Sequence, residues 1–441
     1  MVKVKTVCRP EELYTRETTD DIYQHYKNPD STLHPLQQAR EYMRALNSAK
    51  LEKVFAKPFL ASMDEHTDSV YVLGRSDVDV SMCVSGSCNG EIKVWDLSCF
   101  KSKMTIPVAH NGFVTGLVTR GDELLSVGRD ALVKLWRLDS PDPVRTYNSS
   151  MTLTGVDKQW EDAGIFATCG SEGVYVWDKH RSSPLSKYHW SSDSQLTLKF
   201  NPSETSVLAS TGADCSITLY DIRGNTPLRK TVLKNKSNAL AWNPREPMFF
   251  TVANEDSNLY TFDLRKLTEA YRVHKDHLNA VLSVAFSPTG REFVTGSYDR
   301  TLRIFPSREG HSREVYHTRR MQWVYAVEFS GDGKFVLSGS DDTNVRVWKA
   351  RAHMPLKTLM PREQEAIQYR EKLKSQYRHV DEIRRILRHR HLPRLMFRQR
   401  QQKQEHLQSQ WRKQQHIKAH LKPGAYMPIR EKQKPIVTEQ E

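Results

Sequence analysis

Three sets of side chains in this sequence have the types that chemistry uses. His110, Ser126 and Asp130 fall within 21 residues and supply the inventory of a hydrolytic triad: a nucleophile, its base and an orienting carboxylate. Seven arginines (Arg384, Arg385, Arg388, Arg390, Arg394, Arg398 and Arg400) occupy 17 residues, with His379, His389, His391 and His406 interleaved. Asp221-Ile222-Arg223 and Asp263-Leu264-Arg265 repeat one acid-x-arginine pattern 42 residues apart. Each set also has a plain structural reading, and the organisation of the whole chain weighs one against the other.

The triad reading fails on repetition. Ser338-Gly339-Ser340-Asp341-Asp342-Thr343-Asn344-Val345-Arg346-Val347-Trp348 reads as a strand end, a tight polar turn and an alternating strand closed by an aromatic. Copies end at Phe305, Phe262, Tyr220, Trp177, Trp136 and Trp95, with gaps of 43, 43, 42, 43, 41 and 41 residues working back from Trp348. A period of about 40–45 residues with this cadence is the signature of a WD40 β-propeller. The expected fold is therefore all-β: seven blades with a short N-terminal arm and a basic α-helical tail.

In such blades the same residue types form a buried network of aspartate on histidine, histidine on serine and serine on the indole N–H. His110, Ser126, Asp130 and Trp136 are the full set in blade two, and Ser338, Asp342 and Trp348 are the partial set in blade seven. Recurrence at one structural position points to architecture, so no enzyme is expected. The repeats are uneven: blade three has Ser171 in place of the acid, and Phe262 in blade five lacks an N–H donor.

The elements that must position these residues follow in order. Residues 1–52 form a polar arm with one short helix expected over Pro35–Ser48, where Leu36, Ala39, Met43 and Leu46 keep helical spacing. Residues 53–350 form the propeller, and Lys53–Leu60, or a stretch a few residues away, is expected to close it as the outer strand of the blade ending at Trp348. Residues 351–441 form the tail. Tyr369, Leu373, Tyr377, Val380, Ile383 and Leu387 make one apolar stripe that Pro393 ends. A second helical run over 395–421 has Phe397, Leu407, Trp411 and Ile417 as its expected anchors, and the last ~17 residues read as disordered.

Charge separates the two ends. Residues 351–441 hold 22 Lys and Arg against 9 Asp and Glu, whereas residues 1–350 hold 44 against 43. A basic tail on a near-neutral domain points to an anionic partner, nucleic acid before membrane. Arginine forks match phosphate oxygens, and an exposed aromatic stacks on an unpaired base. Arg384, Arg385, Arg388, Arg390, Arg394, Arg398, Arg400, Lys403, Trp411, Arg412 and Lys413 are the candidate RNA contacts. A nuclear-import address, an acidic protein partner, or a merely solvated helix face are the competing readings.

Other chemistry finds little footing. His389-Arg390-His391 has no cysteine or carboxylate at ligand spacing and is flanked by cations, so no metal is expected. Cys8, Cys83, Cys88, Cys99, Cys169 and Cys215 include no C-x-x-C pair and read as small apolar fillers in a reducing compartment. No dinucleotide or phosphate-loop fingerprint occurs, so no cofactor or small-molecule substrate is expected. The N-terminus lacks an apolar secretory core, and no apolar run approaches a bilayer span, so no membrane association is expected.

Nearly the whole chain resembles the Sof family of WD40 proteins. The residues that carry the likeness are Ala45-Leu46-Asn47 with Val54–Ser62, Ala253-Asn254-Glu255-Asp256 with Leu259–Asp263, Arg313–Thr318, and Arg388-His389-Arg390-His391-Leu392-Pro393. The resemblance implies a nucleolar factor of the small-subunit processome, working with pre-rRNA, box C/D small nucleolar ribonucleoprotein components, and other processome and ribosomal proteins in 18S rRNA maturation. Animal relatives are also described as substrate receptors of cullin-four ubiquitin ligases. Asp221, Arg223, Asp263 and Arg265 resemble the W-D-x-R ending that docks on the ligase's damage-binding adaptor, but Tyr220 and Phe262 replace its tryptophan.

Overall fold

The computed structural model describes residues 36–161, 164–224, 226–421 and 430–440. Most of the expected N-terminal arm, with Cys8, lies outside the described residues. By internal contacts the chain divides into two units, one joining the described residues up to Pro58 with Arg351–His391, the other joining Phe59–Ala350 with the residues from Leu392 onward. The basic segment that the sequence presents as a single tail is thus shared between them.

The larger unit is a seven-bladed β-propeller of antiparallel sheets. Blade one, for example, is Val70–Arg75, Met82–Ser87, Ile92–Asp96 and Lys101–Ile106. Each of the seven periodic aromatics is buried, from 0% exposure at Trp95, Trp177, Tyr220, Phe262 and Phe305 to 2% at Trp136. Burying a side chain of this size contributes about 2–3 kcal/mol, which explains why the aromatic bulk survives where the indole does not. Close approach between blades needs a missing side chain: a Cβ on Gly339 would stand 2.8 Å from Val70 Cγ1, across the junction of the last and first blades.

The ring is closed by Phe59–Met63, which pairs antiparallel with Val345–Lys349. Lys53 and Val54, expected as part of that strand, instead end a helix. Blade four carries a fifth strand, Ile436–Gln440, antiparallel to Pro227–Leu233. Of the C-terminal residues that read as disordered, Ile436–Gln440 form a strand instead, because Ile436 packs on the cluster around Leu233 and Leu240 and Lys234 N–H donates to Pro435 O at 2.8 Å.

In the smaller unit, α1 (Gln37–Val54) packs with α2 (Pro361–Gln376) and α3 (Asp381–Arg388) around Ala45, Leu46, Ala49, Leu373, Tyr377 and Ile383. The apolar stripe of the tail supplies half of this core. Its single expected helix is broken at Tyr377–Val380, where Val380 N–H donates to Tyr377 O at 3.1 Å and α3 restarts with Asp381 and Glu382 in its first turn. Tyr377 O–H donates to buried Glu41 at 3.3 Å, and Lys374 pairs with Glu52 at 2.5 Å.

The last helix, α4 (Arg394–His420), belongs to the propeller unit. Its anchors differ from those expected: Phe397, Leu407, Trp411 and Ile417 are each more than half exposed, and Met396 is buried instead. Lys403, two turns beyond Met396 and so on the same face, donates to His277 O at 2.8 Å and to Ser257 Oγ.

Candidate functional site

The His-Ser-Asp set sits inside a blade. His110 Nε2 is 2.7 Å from Ser126 Oγ, and Nδ1 is 3.1 Å from both oxygens of Asp130. Trp136 Nε1–H donates to the same Ser126 Oγ at 2.8 Å. Ser126 is fully buried, so its hydroxyl is engaged and beyond the reach of any substrate carbonyl. Burial holds the His110 imidazole below its usual pKa and therefore neutral. Asp130 also accepts Leu132 N–H at 3.2 Å, which stabilises the tight turn where Ala131 has φ 61°.

Other blades vary the scheme. In blade seven, Trp348 Nε1–H donates to Ser338 Oγ at 2.8 Å, while Asp342 grips Arg346 rather than a histidine. Blade six uses His277, Thr295 and Asp299. Blade one holds a set that the sequence reading missed: His66 bonds Ser85 Oγ at 2.6 Å and Glu91 at 3.2 Å, and Trp95 donates to Ser85. Glu91 stands four residues before the tryptophan, where blades two, four, five, six and seven place their acid six before the aromatic, so the fixed offset passed over it. Blade five, where buried Phe262 stands in for the indole, carries a different hydrogen-bonded chain of Thr251, Thr261 and His274, each link 2.9 Å.

The candidate RNA contacts fall on both units. Arg384, Arg385, Arg388 and Arg390 lie on or just after α3, and Arg394, Arg398, Arg400, Lys403, Trp411, Arg412 and Lys413 lie on α4. Arg385, Arg388, Arg394, Arg398, Arg400, Arg412, Lys413 and Trp411 are exposed. Arg384 pairs with Asp381 but stays about half exposed. Arg390 turns back onto the carbonyls of Leu387 and His389 at 2.6 and 3.0 Å. Lys403 is withdrawn from the candidate set: burial lowers its pKa, and Asp256, Asp299 and Asp276 supply the compensating charge. It is a docking residue for α4 and not a free phosphate ligand.

The two acid-x-arginine endings occupy equivalent positions on blades four and five. Asp221 Oδ1 accepts Arg223 N–H at 3.0 Å, and Asp263 Oδ1 accepts Arg265 N–H at 3.0 Å. Both guanidinium groups are over 70% exposed, with Arg265 paired to Asp263 at 3.2 Å and Arg223 donating to Ser206 Oγ at 2.5 Å. The carboxylates thus shape the turn and pre-orient the arginines at the rim.

No group of three or more His, Cys, Asp and Glu among the described residues is arranged to hold a metal. The described cysteines other than half-buried Cys88 and Cys215 and exposed Cys99 are buried, and burial pushes the thiols of Cys83 and Cys169 up to about 12. None of the helices among the described residues is long and apolar enough to cross a membrane.

Comparison with known proteins accounts for both halves of the chain. The Sof1-like domain profile matches residues 350–436, and the WD domain, G-beta repeat profile matches residues 57–96, 268–305 and 310–349. A Xenopus tropicalis protein named DDB1- and CUL4-associated factor 13 is 46% identical over 444 residues, covering 99% of each chain. The human protein of that name is 44% identical over the same length and coverage. Its Dictyostelium discoideum counterpart is 42% identical over 407 residues, 90% of this chain and 91% of its own. Identity at this level along nearly every residue, helical tail included, means that the chain belongs to the Sof1-like family of WD40-repeat propeller proteins.

Proposed function

We propose that the protein is a non-catalytic scaffold of the small-subunit processome, serving early pre-rRNA processing and 18S rRNA maturation in the nucleolus. The observation that carries this reading is the exposed cationic surface of α4, where Arg394, Arg398 and Arg400 line the first turns and Arg412 and Lys413 follow exposed Trp411. Guanidinium forks neutralise phosphates, and the indole offers a stacking face. The rigid propeller presents faces and rim to protein neighbours, and the blade networks, buried and engaged, hold its shape.

The test is binding of full-length protein to pre-rRNA across a salt series. Each phosphate neutralised adds roughly 0.7–0.9 to the log–log slope, so Arg398→Glu with Arg412→Glu should flatten it by about two contacts and displace the protein from pre-ribosomal particles. Unchanged slope and sedimentation would reject the reading.

A second reading is favoured by the names of the relatives and by the paired rim arginines: a substrate receptor of a cullin-four ubiquitin ligase, docking its adaptor through Asp221, Arg223, Asp263 and Arg265. Arg223→Ala with Arg265→Ala should then abolish adaptor capture from nuclear extract and leave pre-rRNA association intact. Retention of adaptor capture in that variant would reject docking through these residues.

A further inference from the structure

The backbone hydrogen bond that closes each inner hairpin identifies equivalent positions around one mouth of the central channel. In every blade the N–H of one residue donates to the carbonyl of a residue just before the innermost strand: Cys88 to Ser69, Arg129 to Phe113, Ser171 to Thr152, Ala213 to Ser194, Glu255 to Lys236, Tyr298 to Ala280 and Asp341 to Trp323. A third position is the second residue of the innermost strand, as in Tyr71 and Tyr325.

These positions are not filled evenly. Blades three, four and five carry small, polar or aliphatic side chains there, including Thr152, Thr154, Ser194, Leu196 and the Lys236–Glu255 ion pair at 3.3 Å. Blades six, seven, one and two carry aromatics: Tyr298, Trp323, Tyr325, Tyr71 and Phe113. Four of these rings form one chain, with centroids 5.2 Å apart from Tyr298 to Trp323, 6.5 Å from Trp323 to Tyr325 and 5.6 Å from Tyr325 to Tyr71. Blade geometry does not demand them, since the same positions elsewhere take threonine or alanine. Nor do they build the core, because Tyr298, Trp323, Tyr71 and Phe113 are 36–43% exposed.

Cations accompany the arc. The Arg129 guanidinium lies 4.7 Å from the Phe113 ring centroid. Arg319 and Arg320 are exposed in the loop leading to Trp323, and Arg300 is exposed two residues beyond Tyr298. The open carboxylates nearby are exposed Asp68, which caps Ser69 N–H at 2.7 Å, and half-buried Asp341, whereas Asp130, Asp299 and Asp342 are engaged by His110, His277 and Arg346. Four arginines against two open carboxylates leave a cationic, aromatic-lined mouth, the composition that binds unpaired nucleotides by stacking and phosphate attraction.

We propose that this aromatic arc is a second nucleic-acid site, taking a short run of unpaired RNA bases at the channel mouth and not duplex. The proposal rests on the ribonucleoprotein reading given above and adds to it a set of residues other than the exposed cations of α4. A duplex keeps its base faces stacked internally and has none to offer the rings, so selectivity for single strands is its mark.

The experiment uses full-length protein, a fluorescein-labelled oligouridylate of about 12 nucleotides and an RNA duplex of equal length. Tyr71→Ala with Trp323→Ala should weaken oligouridylate binding on the order of tenfold, as expected for lost base stacking, and change duplex binding less than about twofold. The unfolding temperature of this variant should match the parent, because both side chains are partly solvent-exposed; Tyr71→Phe with Trp323→Phe, which keeps the ring faces, should restore most of the affinity. Arg398→Glu with Arg412→Glu on α4 should weaken both RNAs. If only the α4 variant loses RNA, the mouth site is wrong and the scaffold reading stands. If neither variant loses RNA, both fall. Loss of a protein neighbour with oligouridylate binding intact would make the arc a protein-docking surface and overturn the proposal.

Discussion

Phe59, the first residue of the strand that closes the ring, stands opposite Trp348, the last aromatic of the seventh repeat, with ring centroids 5.5 Å apart and edge to face. The two ends of the propeller, 289 positions apart in sequence, are therefore joined by a backbone ladder and an aromatic contact. Closure of this kind covers the edge of Val345–Lys349 and makes one blade from the two ends of the propeller.

Met63, at the other end of the same strand, is 1% exposed and packs with Val345 and Val347. Met63→Asp would place an unpaired carboxylate in that cluster and should cost about 3 kcal/mol or more. The expected outcome is a lowered unfolding temperature and concentration-dependent self-association through the freed edge of Val345–Lys349, read by differential scanning and light scattering.

Acid should loosen the ring before carboxylates titrate. Burial pushes His274 down to about 4 from an ordinary value of 6.5, and lowers His110 and His277 in the same direction. A histidine held neutral by the fold binds its proton more readily when unfolded, so stability falls as pH drops below 6.5 and levels off once the folded form also protonates. For His274 that window runs from 6.5 to about 4 and is worth roughly 3 kcal/mol at 1.36 kcal/mol per unit. Denaturant titrations at pH 7, 5.5 and 4.5 should show this loss, with a shallower slope in His274→Gln. Asp299, held well below the usual carboxylate range by His277 and Arg303, adds its own loss only below the ordinary carboxylate value of 3.8.

The first inner hairpin depends on a single glycine. Gly90 has φ +89°, and a Cβ there would stand 2.1 Å from His110 O, whose residue anchors the blade-two network. Gly90→Ala should destabilise by about 2–3 kcal/mol through positive-φ strain and this clash, and should weaken hydrogen-exchange protection at Ala109 and His110, whose N–H groups donate to Gly90 O.

Much of this was legible in sequence because the propeller repeats its physics. The aromatic period marks the buried residue of each blade, and Ser338–Asp342–Trp348 marks where the final one ends. What escaped was whatever depends on contacts distant in sequence. Glu91 shares the role of Asp130 from a different offset, and only the fold brings it to His66. Ile436 reads as a residue in a polar tail until Leu233 is beside it. The tail's apolar stripe was visible, but its partner residues Ala45 and Ala49 carry too little apolar surface to announce a helical core. The aromatic arc at the channel mouth was invisible because Tyr71 and Trp323 are 252 residues apart.

Lys403 decides how α4 is held. Its ammonium sits between His277 O and Ser257 Oγ, with Asp256, Asp276 and Asp299 supplying the opposite charge. Lys403→Met keeps the aliphatic stem and removes both donated bonds, at a cost on the order of 1–3 kcal/mol for bonds from a charged group. That cost should fall on local docking, because α4 offers only Met396 to the interior. The expected outcome is faster hydrogen exchange through the amides of 397–407 with the propeller's unfolding temperature unchanged. Lys403→Glu, which faces three carboxylates with a fourth, should go further and make the segment before Gln408 susceptible to limited proteolysis. Protection equal to the parent in both variants would mean that Met396 alone docks the helix.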